Sequence, residues 1–164
     1  MSDELPLLFL GGLIGAGLAA PKPSETVAIK DYNRIFEFID KRKRGLGDFT
    51  IEPFLLYDKK VFNVLNEAFQ MYLNGSNKGS SFLCIAILES KLREKYGMKN
   101  FEEMILKAKE DKLISSSQFH FLNGLRIDRN FIVHNIFEEF SEEDAQITFR
   151  LVIRFLNNLY KWNE

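Results

Sequence analysis

The chain has 164 residues, which is the length of one ordinary domain and too short for two full ones. Its 22 basic and 23 acidic residues give a formal net charge of −1, so no global field draws it to nucleic acid or anionic lipid. Cys84 is the only cysteine, which excludes an intrachain disulfide and a cysteine-based zinc site and suits a reducing compartment. Any binding of nucleic acid must therefore come from a local patch.

Residues 1–25 form an apolar segment and a linker. Leu5–Ala20 carries no charge, and Pro21–Glu25 has the prolines and serine of a linker. Sixteen helical residues reach about 24 Å, short of a hydrocarbon core of about 30 Å. Asp3 and Glu4 stand where a signal peptide needs positive charge. Three interpretations stay open: a membrane anchor with the rest of the chain on the cytoplasmic face, an arm packed on the domain or on a second subunit, and a cleaved signal.

Residues 26–56 predict a short, peripheral, basic helix and a loop. Apolar residues recur at helical spacing before the run Lys41, Arg42, Lys43 and Arg44, after which Gly45–Asp48 ends the helix. Phe49–Leu56, interrupted by Pro53, predicts a loop. The basic run has three possible uses: a solvated helix end, a contact with lipid headgroups, or a contact with the RNA backbone.

Residues 57–164 contain five segments with helix start or stop signals and none with the alternating period of a strand. The capping residues are Asp58 for the first helix, Asn100 with Glu103 for the third, Ser115–Ser117 for the fourth, and Ser141 with Asp144 for the last. Gly97 ends the second helix, which is apolar around much of its circumference and is therefore central. The sequence predicts an all-α bundle of four to five helices, preceded by the short apolar segment.

The fourth helix carries the polar residues that are best suited to chemistry. Arg126, Asn130 and His134 are spaced by four positions and form one stripe, and Arg129 lies about 60° from it. Arginine keeps its charge while histidine changes charge near neutral pH, which are the properties needed to hold a phosphate and move a proton. A structural interpretation stays open, in which His134 interacts with the helix dipole and Asn135 is a left-handed helix stop.

The stretch Arg129-Asn130-Phe131-Ile132-Val133-His134 resembles the signature of the HEPN superfamily, the higher eukaryote and prokaryote nucleotide-binding domains. The helix order agrees: an apolar helix with Ala86, Leu88, Glu89 and Leu92, a shorter helix, the motif helix, and a closing helix that follows Ser141. The resemblance covers about Tyr57 to Trp162 and implies a HEPN-like bundle.

This resemblance implies that the protein is a metal-independent endoribonuclease with neither a cofactor nor a metal site. It also implies that the enzyme acts in a toxin or antiviral system, together with a neutralising or partner protein. In that interpretation Arg129 holds the scissile phosphate of RNA, His134 is a general acid or base, and Asn130 orients them. Arg126 and the basic run Lys41–Arg44 are the predicted substrate contacts. The alternative is a non-catalytic nucleotide-binding or adaptor module, tethered to a membrane through Leu5–Ala20, whose motif forms a dimer interface.

Geometry adds one condition to the ribonuclease interpretation. Arg129 and His134 are five positions apart, which is about 140° around an ideal helix, so one chain does not place both side chains on one phosphate. A two-fold axis beside the stripe would let two copies line one groove. A homodimer is therefore part of the hypothesis.

Overall fold

The computed structural model describes residues 23–47, 50–97, 100–135 and 137–161. The described part is all-α, as predicted, and contains no strand. The helices are α1 (Pro23–Leu46), α2 (Pro53–Tyr57), α3 (Lys59–Leu73), α4 (Asn77–Tyr96), α5 (Phe101–Glu110), α6 (Ser116–His134) and α7 (Glu142–Lys161).

The chain divides into two compact units, Met1–Phe38 and Ile39–Glu164. In the first unit the described part of α1 carries exposed apolar side chains at Tyr32, Ile35, Phe36 and Phe38. The apolar segment Leu5–Ala20 lies outside the described residues. No helix in the described part of the chain has both the length and the apolar character to cross a membrane. The proposed anchor therefore stays a prediction.

Most of the predicted start and stop signals are confirmed. Asp58 caps α3 by accepting hydrogen bonds from the backbone N–H groups of Lys60 and Val61 at 3.0 and 3.1 Å. Gly97 ends α4 with φ at +79°, a conformation that glycine adopts without steric cost. Ser115 caps α6 in a capping box with Gln118. Each cap satisfies backbone groups that a helix end otherwise leaves unpaired.

Two sequence predictions about the N-terminal third were wrong. The first helix is 24 residues long and includes Pro23–Glu25, which the sequence assigned to a linker. The predicted loop Phe49–Leu56 contains the start of α2, with Pro53 at its first position. Proline suits that position because its missing N–H would be unpaired there anyway.

The core of the second unit is built around α4. This helix packs against α3, α5, α6 and α7, and its side chains at Cys84, Ile85, Leu88 and Leu92 are fully buried. Burial raises the pKa of the Cys84 thiol well above its ordinary value, so this cysteine is a core residue, as predicted. The central position of α4 brings it alongside the C-terminal half of α6.

Candidate functional site

The motif lies in the last three turns of α6. The helix ends where the Asn135 backbone N–H donates to Phe131 O at 2.9 Å, and Lys78 Nζ donates to the Asn135 carbonyl at 2.6 Å. Asn135 has φ −118°, so the predicted left-handed stop is wrong. A lysine at the carboxyl end of a helix satisfies a carbonyl there and interacts favourably with the dipole. This end of α6 is thus fixed to the start of α4.

Arg129 is held by a carboxylate of α4. Its Nε lies 3.3 Å from Glu89 Oε2, while Arg93 Nη2 lies 2.6 Å from Glu89 Oε1. The Glu89 side chain is only 12% exposed, against 39% for Arg129, so the carboxylate sits at the base of the pair. Glu89 is the only carboxylate that pairs with Arg129 among the described residues. Because a guanidinium has five N–H donors, Arg129 is oriented by Glu89 and keeps donors for an anion.

Arg126 lies on the adjacent side of α6, toward α5. Its Nη1 is 3.4 Å from Glu102 Oε2, and its side chain is 28% exposed. Among the described residues, no group accepts a hydrogen bond from the buried Nε of Arg126 or of Arg93. Three arginines therefore share two glutamates in this region, which leaves one net positive charge.

Asn130 and His134 are exposed. They lie on the solvent side of the helix, whereas Arg129 faces α4, as expected for residues five positions apart. The structure therefore brings Arg129 together with Glu89 and Arg93, and it does not bring Arg129 together with His134 in one chain. Val133, the residue before His134, is 43% exposed.

Asp128 is the acidic residue of the motif region. Burial and the nearby negative charge of Asp144 raise the pKa of its carboxyl. The ion-pair partners of Arg126 and Arg129 among the described residues are Glu102 and Glu89, not Asp128. We therefore assign it no part in the candidate chemistry.

The basic run does not form one surface. Arg42 is 3% exposed, with Nη1 3.0 Å from Glu142 Oε2 and Nε donating to Tyr72 O at 2.6 Å. Its guanidinium also lies over the Tyr72 ring at 4.1 Å. The predicted RNA contact by Arg42 is thus corrected: this side chain is a buried link between helices. Arg44 pairs with Asp40 one turn earlier, and Lys41 and Lys43 are exposed.

Several apolar side chains are also exposed on α6 and just after it: Phe121, Ile127, Val133 and Phe137, of which Ile127 is 60% exposed. Ile127 lies between Asn123 and Asn130 on the face that points away from α4. Phe121, Ile127 and Val133 are six positions apart, so they lie about 120° from one another around the helix, and only Ile127 shares the outer face of Asn130 and His134.

The sequence interpretation missed the roles of Glu89 and Arg93. The available signal was a Glu-to-Arg spacing of four on a helix that is otherwise mostly apolar, since buried charges require partners. In the described part of the chain, no group of three or more histidine, cysteine, aspartate or glutamate residues is arranged to hold a metal ion. The chemistry available here is therefore that of arginine, amide and imidazole.

Comparison with known proteins gives one family. The family described as Domain of unknown function (DUF4145) matches residues 66–164, which includes the C-terminal half of α3 and all of α4–α7. No curated protein and no solved structure matches the chain. The matched region contains the motif on α6 and its partners on α4 and α5, and it excludes the basic run of α1.

Proposed function

We propose that this chain, which belongs to the DUF4145 family, binds and cleaves RNA without a metal ion, through Arg129, Asn130 and His134 of two copies. The observation that carries the proposal is the pairing of an oriented arginine with an accessible histidine on the same helix end. Glu89 holds Arg129 through Nε, while Asn130 and His134 are open to solvent. A phosphate clamp needs fixed donors, and a proton-transfer group needs access to the substrate.

Two copies are part of the proposal because one copy separates its own Arg129 from its own His134. The exposed side chain of Ile127 lies on the same outer face as Asn130 and His134. A two-fold contact that covers Ile127 would face the two motif ends toward each other, so that one groove receives side chains from both chains. Burying apolar side chains at this contact would stabilise the dimer.

The proposed reaction uses the nucleophile that RNA carries. The 2′-oxygen attacks the adjacent phosphorus, the bond from phosphorus to the 5′-oxygen breaks, and the products are a 2′,3′-cyclic phosphate and a 5′-hydroxyl. One imidazole of His134 accepts the proton of the 2′-hydroxyl, and the partner copy's imidazole donates a proton to the departing 5′-oxygen. The guanidinium of Arg129 stabilises the charge on the phosphate oxygens in the transition state.

The first test is incubation of the purified full-length chain with single-stranded RNA in excess chelator. His134→Ala is expected to reduce cleavage at least about 100-fold, which is the lower range for loss of a general acid or base. The matched control is His120→Ala, because His120 is the only other histidine and is exposed on the same helix. Cleavage that persists in His134→Ala, or that disappears in chelator, would refute the mechanism.

Cleavage products and oligomeric state test the remaining parts. Products that carry 5′-phosphate ends would contradict attack by the 2′-oxygen. Light scattering is expected to give a dimer, and Ile127→Asp is expected to shift it to monomer while its melting temperature stays within a few degrees, since Ile127 is exposed. A chain that cleaves RNA as a monomer would show that the two-copy arrangement is wrong.

A second candidate function is a non-catalytic adaptor whose motif stabilises an interface. The ion pair of Arg129 with Glu89 favours it, since a paired arginine also serves packing. Arg129→Ala separates the two: the adaptor function predicts loss of the dimer, whereas the nuclease predicts loss of cleavage with the dimer intact.

Glu89→Gln tests the orientation of Arg129 by itself, because an amide keeps the shape of the Glu89 side chain while removing the charge that orients Arg129. The nuclease predicts weaker cleavage for Glu89→Gln, with Glu102→Gln, whose side chain is 65% exposed, as the charge-matched control.

A further inference from the structure

A cleft lies between the α5–α6 connection and the C-terminal half of α7, at the end of α6 opposite the motif. It consists of two adjoining cavities of about 300 and 660 Å³, and Ser115, Gln118 and Asn158 line both. The last α6 residue that lines the cleft is Leu122, about 10 Å along the helix before Arg129 and about 18 Å before His134, and the cleft shares no residue with the motif. This cleft is therefore distinct from the site described above.

The smaller cavity is suited to a planar ring. Apolar walls come from Phe121 and Leu122 on α6 and from Leu151 and Phe155 on α7. Phe121 is 46% exposed, which leaves part of its ring open for stacking. The amides of Gln118 and Asn158 add donors and acceptors beside these walls. An apolar pocket with a few polar groups is the usual form of a site for a small organic ligand.

The larger cavity is cationic. Lys109 and Lys112 line it, Arg154 lines the adjoining one, and no carboxylate lines either. Lys109 Nζ lies 4.1 Å from the centre of the Phe119 ring. Lys112 and Arg154 make no ion pair within the described residues, unlike Arg93, Arg126 and Arg129 of the motif region. These two cations are thus available to an anion.

Lys112 also has an unusual backbone conformation. Its φ is +58°, and it is the only non-glycine residue of the described chain with positive φ. It follows the end of α5 in a turn where the Leu113 N–H donates to Ala108 O at 2.9 Å, a position that glycine usually occupies. A lysine here carries a steric cost that glycine would avoid. The position therefore keeps a charged side chain at the expense of stability.

We propose that this cleft binds a nucleoside polyphosphate, with the base against Phe121 and the phosphates on Lys112 and Arg154. The two halves of the cleft have complementary characters, one apolar with amides and one cationic, and they share one wall. A ligand that matches both must join a planar, hydrogen-bonding ring to several negative charges. Inorganic phosphate lacks the ring, and a free nucleoside lacks the charge. This site does not depend on RNA cleavage.

The test is calorimetric titration of the full-length chain with ATP and GTP in chelator, with tripolyphosphate and adenosine as the separate halves. At least one nucleotide is expected to bind at least tenfold more tightly than either half. Arg154→Gln and Lys112→Gly are each expected to weaken its binding about tenfold, since each removes one charge-assisted hydrogen bond. Phe121→Ala is expected to weaken nucleotide binding without changing tripolyphosphate binding.

Three controls make each outcome decisive. Lys112→Gly is expected to leave the melting temperature unchanged or to raise it by roughly 2–4 °C, so weaker binding would not reflect unfolding. Lys59→Gln, an exposed lysine that lines neither cavity, and His134→Ala are expected to bind nucleotide like the natural chain. Three outcomes would overturn the proposal. The first is that the chain does not bind nucleotide at millimolar concentration, the second is that it binds tripolyphosphate as tightly as nucleotide, and the third is that its nucleotide affinity is the same in Arg154→Gln and Lys112→Gly as in the natural chain. Loss of RNA cleavage in His134→Ala would leave it intact.

Discussion

Arg42→Ala tests whether the basic run of α1 serves stability or RNA. Arg42 contacts α3 through the Tyr72 carbonyl and ring, α4 through Asn77 Oδ1, and α7 through Glu142. Its side chain is 3% exposed, so water does not replace these partners in the folded chain. Alanine at this position would leave Glu142 without its ion-pair partner and the Tyr72 carbonyl without this donor.

The expected loss is about 3 kcal/mol in the free energy of unfolding, the lower end of the range for removal of one partner from a buried ion pair, because Glu142 is 35% exposed and water still solvates it. The contact of the guanidinium with the Tyr72 ring lies within that loss rather than adding to it. Since small proteins unfold at a cost of about 5–15 kcal/mol, this single change would remove a large share of the stability. Lys41→Ala and Lys43→Ala are matched controls on exposed neighbours, with expected changes within about 0.5 kcal/mol.

Urea denaturation followed by circular dichroism measures these differences. Arg42→Lys adds a second comparison, because it keeps the charge and loses the planar fork of donors, so an intermediate loss of about 2 kcal/mol is expected. A loss below about 1 kcal/mol for Arg42→Ala would refute the assignment of Arg42 to the interior. If Arg42→Ala instead weakened RNA binding at full stability, the original prediction of a substrate contact would be restored.

Three further changes test the electrostatics and helix packing. Burial would raise the pKa of Asp58, but the interactions with Lys91 and with the N–H groups of α3 outweigh burial and lower this pKa. The ionised Asp58 carboxylate therefore contributes its full stabilisation of the folded chain above about pH 4, and this stabilisation is lost as pH falls through the pKa of the folded state. Asp58→Asn keeps the helix cap but removes the charge, so urea titrations should show a loss of about 1–2 kcal/mol in the free energy of unfolding at pH 7. The free energy of unfolding of this variant should also fall less steeply in acid than that of the natural chain. Burial and the charge of Asp144 raise the pKa of the partly exposed Asp128 carboxyl, so its ionised form destabilises the folded chain. Asp128→Asn should therefore raise the free energy of unfolding at pH 7 by at most about 0.5 kcal/mol, and this gain should vanish as pH falls through the raised pKa. Gly124→Ala should stabilise α6 by about 0.5–1 kcal/mol in thermal melts, since an added Cβ meets no atom within 4 Å; destabilisation would indicate that a second chain approaches there.

Local signals made the second unit predictable from sequence. Asp58, Asn100 and Ser115 each stand before an apolar run and cap the helix that follows. The buried stripe Val61, Leu65, Ala68 and Tyr72 on α3 follows from helical spacing alone. These features depend on residues within one turn of each other, so no knowledge of the tertiary fold was needed.

The errors at the candidate site concern residues whose environment is set by distant partners. Local composition placed Arg42 in a solvated or RNA-binding run, but Glu142 is 100 positions away and reverses that interpretation. The orientation of Arg129 by Glu89 likewise joins positions 40 apart. Spacing on a helix predicts which face a side chain occupies, yet it does not predict which charge faces it across an interhelical gap.

The pairing of Arg129 with Glu89 affects phosphate binding in two opposing ways, through charge and through orientation. A carboxylate beside a phosphate site opposes the incoming anion, yet Glu89 is deep and contacts two guanidinium groups. The charge of that triad remains positive, and the carboxylate pairs with Arg129 at Nε, which leaves guanidinium donors for an anion. An unpaired arginine at the same place would have to lose rotamer freedom when it binds a phosphate, whereas one held in advance does not. Glu89→Gln should therefore weaken phosphate binding even though it removes a negative charge, and stronger binding in that variant would mean that Glu89 only neutralises Arg129.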